Sequence, residues 1–167
     1  MILLALGGNL TSRFGAPTAT FVAALERLAA YEVVTIARSQ LYETAPVPVS
    51  DQPWFINGVA QVTTQLEPEA LLALMLAVET DFGRVRGAVN AARTLDLDLL
   101  AYNNLVRTSS APLLPHPRLQ DRAFVLHPLR DVAPSWTHPV LGLSVDTMIA
   151  ALPPGQDIRL HAADFKL

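Results

Sequence analysis

The segment Arg93-Thr94-Leu95-Asp96-Leu97-Asp98-Leu99-Leu100 carries the sharpest chemical signal in the chain. On a strand, alternation sends Leu95, Leu97 and Leu99 to one side and Thr94, Asp96 and Asp98 to the other. The two carboxylates then stand about 7 Å apart along the chain and repel each other unless a cation sits between them. A hard cation such as Mg²⁺ takes one or two carboxylates and completes its shell with phosphate oxygens and water. An acidic outer face on a half-exposed strand gives the same pattern, so the neighbours decide. Arg84 and Arg86 precede the segment, Arg93 opens it, and Arg118 and Arg122 follow it. Carboxylates for a metal beside arginines for phosphate suit a metal–nucleotide polyphosphate, because phosphoryl transfer needs positioning and charge neutralisation.

Other residues fit a flat ligand. Phe55 and Asn57 share a strand face, where a ring stacks and an amide donates and accepts in the ligand plane. Phe124 is a candidate for the opposite side of the stack, or a core residue in its apolar run. His116, held between two prolines, is a candidate nucleotide contact, or a structural or surface residue. Glu79, near the end of a helix, is a candidate contact to a ligand hydroxyl or base. Nothing in the spacing of His116, His127, His138 and His161 makes a metal cluster. The only lysine is Lys166, so a Walker A loop is excluded. There is no G-x-S-x-G and no cysteine, which removes that hydrolase chemistry, thiolate catalysis and disulfides.

The elements that must position these residues follow from period and punctuation. A strand over 2–6 runs into the turn Gly7-Gly8-Asn9, and Pro17 opens a helix with Phe21, Val22, Leu25 and Leu28 on one face. Strands are predicted over 31–42, 54–64 and 93–102, the last turned by Asn103-Asn104 into a hairpin with 105–107. A proline-rich loop separates the first two. Pro68 opens a second helix carrying Leu71, Leu74, Met75, Val78 and Phe82, with Gly83 as its stop. An apolar run covers 123–129, and Ser144 reads as the N-cap of a last helix. The order β-α-β-β-α-β predicts an α+β, ferredoxin-like antiparallel sheet with helices on one face and a C-terminal elaboration.

The 167 residues fit one domain, 1–167, with 51% apolar and only 16% charged residues, which excludes a disordered chain. No apolar run is long enough to cross a membrane, and the start lacks a basic signal region, so the cytoplasm is expected. The net charge of −3 argues against nucleic-acid binding, including an RNA-binding α+β domain of similar topology.

Taken together, Leu6-Gly7-Gly8-Asn9-Leu10, Tyr42-Glu43-Thr44, Asp51-Gln52-Pro53-Trp54-Phe55-Ile56-Asn57, Glu79 through Gly83-Arg84-Val85-Arg86, Arg93 through Asp98, and Pro115-His116-Pro117-Arg118 through Phe124 resemble the 6-hydroxymethyl-7,8-dihydropterin pyrophosphokinase family from end to end. The resemblance implies transfer of pyrophosphate from ATP to the hydroxymethyl group of the pterin, releasing AMP, in folate biosynthesis. It implies two Mg²⁺ ions on Asp96 and Asp98, which with Arg84 and Arg93 form the catalytic set. Glu79, Arg84, Arg86, Arg93, His116, Arg118 and Arg122 are the implied nucleotide contacts, and Gly8, Thr44, Phe55, Asn57 and Phe124 the implied pterin contacts. The implied partners are the two small molecules, with no nucleic acid, no membrane and a monomeric chain. The chain departs from the family pattern at 87–92, which lacks a tryptophan and a proline, at Leu76 and at Ala111. The segment 87–92 is expected to act as a lid. The alternative of a different class is a non-catalytic ferredoxin-like module that senses nucleotide or metal.

Overall fold

The computed structural model describes residues 1–46, 50–85, 91–163 and 165. In chain order they form β1 (Ile2–Gly8), α1 (Pro17–Ala29), β2 (Val34–Arg38), β3 (Tyr42–Thr44), β4 (Phe55–Thr63), α2 (Pro68–Asp81) and β5 (Asp96–Tyr102). A 3-10 turn (Leu119–Asp121), α3 (Ala123–Val132), α4 (Val145–Ala150) and β6 (Ile158–Leu160) follow. Both long helices open on proline, whose missing N–H is no loss in a first turn. Of the predicted stripes, Phe21, Leu25 and Leu28 of α1 and Leu71, Met75 and Val78 of α2 are buried, Val22 and Leu74 are partly buried, and Ala24 joins the first stripe. Gly83, at φ +82°, lets the chain turn off the end of α2.

The sheet runs β5-β1-β4-β3-β6, with β2 pairing the other end of β4. β1 is antiparallel to β4 on one side and to β5 on the other. Each face of this sheet has its own core. Leu4, Leu6, Ile56, Ala60, Leu97 and Leu99 pack against α1 and α2. Leu3, Val59 and Leu100 pack against α3 and α4, so the C-terminal elaboration covers the face that the two earlier helices leave open. The apolar run 123–129 is the body of α3, with Val125, Leu126 and Leu129 buried. Ser144 caps α4 as expected, accepting the Thr147 N–H at 3.2 Å. Among the described residues, no helix is long and apolar enough to cross a membrane.

Three local expectations are corrected, and one strand is added. The strand over 31–42 is two strands, because buried Ser39 takes over the ladder: its N–H donates to Val59 O and its hydroxyl accepts the Val59 N–H, both at 2.9 Å. Leu41 then turns into the core. The strand over 93–102 begins only at Asp96, since the Arg93 carbonyl accepts from the N–H groups of Asn9 and Leu10 instead. The chain turns at Asn103, at φ +51°, yet 105–107 forms no strand and keeps a single bridge, Arg107 to Leu114. His116 meets the edge of β5 in its place, donating its N–H to Leu100 O at 2.8 Å. Finally, β6 has no apolar alternation to announce it, and it is held by pairing with β3.

Candidate active site

A cavity of about 730 Å³ opens over the sheet face that carries Asp96 and Asp98. The register explains how chemistry collects there. Gly7 of β1 lies between Asn57 of β4 and Asp96 of β5, and Ala5 lies between Val59 and Asp98. A Cβ on Gly7 would sit 3.2 Å from Asn57 Oδ1 and 3.7 Å from the Asp96 Cβ. The absence of a side chain at Gly7 therefore leaves the amide and the carboxylate on one open floor, two strand spacings or about 10 Å apart. Gly8, by contrast, is not on the cavity wall; its Cβ would stand 2.6 Å from the Thr94 carbonyl oxygen, so only glycine lets β1 approach that segment.

The floor is charged and already paired. Arg84 donates to both Glu79 Oε1 and Asp96 Oδ1, and Arg93 Nε lies 3.0 Å from Asp96 Oδ2. Burial alone would lower the Arg84 pKa, but the charges of Asp96 and Glu79 outweigh it and raise it. Glu79 is buried beneath the cavity rather than lining it, and it accepts the Leu97 N–H at 2.7 Å. It thus fixes β5 and Arg84 together. Arg122 approaches Asp98 to 3.9 Å. Its pKa is lowered by burial and by the neighbouring Arg118.

Two aromatic rings carry the same arginines. Arg93 lies 5.1 Å above the centre of Phe55, and Arg122 lies 5.3 Å from that of Phe124. Each ring, arginine and aspartate forms a short chain: Phe55, Arg93, Asp96 on one side and Phe124, Arg122, Asp98 on the other. Asn57 donates from Nδ2 to the Thr44 hydroxyl at 2.9 Å, which orients its amide. His116 is on the wall, and its Nδ1 accepts the Arg118 N–H at 3.2 Å. Its pKa is lowered, first by burial and then by Arg122 and Arg118, against the opposing pull of Asp98, so the ring is neutral near pH 7. Arg118 stands exposed on the rim.

Of the residues singled out from sequence, Thr44, Phe55, Asn57, Arg84, Arg93, Asp96, Asp98, His116, Arg118, Arg122 and Phe124 line this one cavity. Arg86 and residues 87–90 of the expected lid lie outside the described residues. Two contributors escaped the sequence reading. Asn9 is buried, donates to Gln52 Oε1 and Pro53 O, and accepts the Arg93 N–H at 2.9 Å, so it holds three loops together behind Arg93. Its position directly after a glycine pair at a strand end is the one available signal. Residues 154–157 also line the cavity, and no motif marks them.

The oxygen-only donor pair Asp96 and Asp98 suits a hard cation that shares its shell with phosphate. Among the described residues there is no group of three or more His, Cys, Asp or Glu side chains that forms a protein-only cage.

Comparison with known proteins agrees with this geometry. The family model described as 7,8-dihydro-6-hydroxymethylpterin-pyrophosphokinase matches residues 3–134. The chain is 40% identical over 155 residues to the 2-amino-4-hydroxy-6-hydroxymethyldihydropteridine pyrophosphokinase of Pseudomonas aeruginosa, covering 91% of both chains. It is 37% identical over 152 residues to the protein of the same name from Methylorubrum extorquens, covering 90% of this chain and 92% of the relative. It is also 36% identical over 144 residues to the folic acid synthesis protein fol1 of Pneumocystis carinii, covering 86% of this chain but only 19% of that longer relative. The chain spans about a fifth of the length of fol1 and of its Schizosaccharomyces pombe counterpart. With the match extending over most of its length and over nearly the whole of two bacterial relatives, the chain belongs to the 7,8-dihydro-6-hydroxymethylpterin-pyrophosphokinase family.

Proposed function

We propose that this chain transfers the β,γ-pyrophosphoryl group of ATP to the hydroxymethyl oxygen of 6-hydroxymethyl-7,8-dihydropterin, giving AMP and the pterin diphosphate. The observation that carries the reading is the row Asn57, Gly7, Asp96, which puts an amide suited to a heterocycle edge and a carboxylate suited to a metal on one floor of a cavity that Phe55 and Phe124 also line. Phe55 and Phe124 hold the flat pterin ring, and Asn57 with the backbone around Thr44 reads its edge. Arg84, Arg93, His116, Arg118 and Arg122 hold the polyphosphate.

Mg²⁺ ions, two by analogy with the family, would be held by Asp96 and Asp98 and would supply charge neutralisation to the polyphosphate when bound. The residues of the chain supply position rather than acid–base chemistry. In the reaction the pterin oxygen forms a bond to the β-phosphorus, the bond from that phosphorus to the AMP oxygen breaks, and the hydroxyl proton passes to water. Such a loose transfer responds chiefly to in-line placement and to guanidinium contacts with the developing negative charge. Arg93 and Arg122 start on the aromatic faces, so pterin entry displaces both toward the phosphates. We place this activity in a single pyrophosphokinase domain, acting as a monomer in the cytoplasm.

The test is incubation with ATP, Mg²⁺ and the hydroxymethyl pterin, followed by quantitation of AMP. One AMP per pterin diphosphate is the expected result, with none in the absence of pterin. Nucleotide binding without AMP formation would instead assign a sensing module.

A further inference from the structure

Residues 154–157 form part of the cavity wall although they lie beyond the span of the family match. They are tethered at both ends. On one side, Val145 and Met148 of α4 sit in the second core, with Leu152 packed against it. On the other, Ile158 of β6 pairs with Thr44, and the Ala45 N–H donates to Asp157 O at 3.4 Å. Gln156 is thereby held opposite the start of α3.

Its side chain makes a specific pair of bonds there. Gln156 Oε1 accepts the Ala123 N–H at 2.8 Å, and Nε2 donates to Asp121 O at 3.0 Å, with a longer contact to Pro153 O at 3.4 Å. The two main partners lie one on each side of Arg122. Arg122 is the N-cap of α3 and makes no side-chain cap bond, so the first helical N–H needs an acceptor from elsewhere. Gln156 supplies it from the neighbouring wall segment. The backbone of Arg122, extended at φ −118° and ψ 109°, is pinned on both sides, and from it project the Arg122 guanidinium and, two residues on, the Phe124 ring.

We propose that Gln156 is a positioning residue for the pterin end of the site, acting through the backbone at 121–123 to aim Arg122 and Phe124. This rests on the functional reading above. Displacing a stacking ring by a fraction of its width degrades productive binding more than it degrades the fold. Gln156→Ala should lower kcat/KM for the pterin by about tenfold or more, chiefly through KM, while the ATP KM stays within about threefold. Gln156→Glu keeps the shape and the acceptor but loses the donor, and should shift the same parameter in the same direction by less.

Ser144→Ala, which removes the cap of α4 and leaves the Gln156 bonds to Asp121 and Ala123 in place, serves as the control for general destabilisation. The experiment combines steady-state kinetics of all four proteins with hydrogen exchange at the Ala123 amide in the ligand-free state. Faster Ala123 exchange in Gln156→Ala, with a pterin KM raised in that variant and not in Ser144→Ala, supports the proposal. Unchanged Ala123 protection, or equal kinetic losses in Gln156→Ala and Ser144→Ala, overturns it. A wild-type protein that forms no AMP would overturn the functional reading instead, and Ala123 exchange would still judge whether Gln156 pins the backbone.

Discussion

The Tyr42 hydroxyl donates to the Asp131 carboxylate, at 3.1 and 3.2 Å from its two oxygens, and so ties β3 to the end of α3. Burial first, and then the Asp131 charge and the hydrogen bond to it, push the Tyr42 pKa up to about 12. Between the ordinary tyrosine pKa of 10.0 and that value, the unfolded chain gives up a proton that the folded chain keeps. Stability from this contact is therefore present below about pH 10 and lost as the pH rises through the folded pKa. Tyr42→Phe should cost about 1 kcal/mol at neutral pH, since Asp131 is exposed, and should flatten the alkaline loss. Urea unfolding at neutral and alkaline pH measures both; an unchanged alkaline slope in the variant contradicts the assignment.

Burial also governs the acid side. His116, His127 and His138 all have lowered pKa values, burial being the largest cause in each. The His138 Nδ1 accepts N–H groups from Val140 and Leu141 at 3.3 and 3.2 Å, a role open only to the neutral ring. Below the ordinary value of 6.5 the unfolded chain takes up protons that the folded chain refuses. Stability should thus decline as the pH falls from about 6.5 toward the folded values. The decline between about pH 7.5 and pH 5.5 should be smaller in His138→Gln than in the wild type. Equal declines in the two proteins would sink the argument.

Asp96→Asn and Asp98→Asn should each reduce turnover by about 10³-fold or more, because a lost metal ligand costs several kcal/mol in the transition state. The fold should survive, since Leu95, Leu97 and Leu99 keep their buried face. Rates within about threefold of wild type at saturating Mg²⁺, in either variant, would remove the metal role.

Phe124 is only half-buried and stands at the cavity wall. Phe124→Ala should weaken pterin binding by about 1–3 kcal/mol through lost stacking and burial, with ATP affinity little changed. Calorimetric titration of both ligands decides it. An equal loss for both would mark Phe124 as a core residue.

What was legible in the sequence was local. Pro68 with Leu71, Met75 and Val78 specifies α2 within one segment, and the alternation Leu95, Leu97, Leu99 against Asp96, Asp98 specifies the faces of β5. The candidate residues that line the cavity were found for a similar reason, since several stand in short runs such as Phe55 with Asn57, Asp96 with Asp98, and Arg122 with Phe124. The break at Ser39 was not, because it depends on Val59, twenty residues away on another strand. Nor was the late start of β5, which Asn9 and Leu10 impose by taking the Arg93 carbonyl. Gln156 has no helical or strand pattern of its own, and its partners at Asp121 and Ala123 are backbone groups that no side-chain motif reveals.

The interior place of β1, between β5 and β4, has a kinetic consequence. Ile2 pairs with Val62 on one side and with Tyr102 on the other, so the strand at the head of this chain finds both neighbours only far downstream. Closing those long loops comes before any reward from sheet contacts, which places the chain among slow folders, in the range of milliseconds to seconds. During synthesis, Leu3, Leu4 and Leu6 gain their β4 neighbour only after residue 63 has emerged and their β5 neighbour only after residue 102, so an apolar segment stays partly uncovered for much of that time. β6 is the last of these strands in chain order, so the wall that holds Gln156 is made after the strands that form the cavity floor.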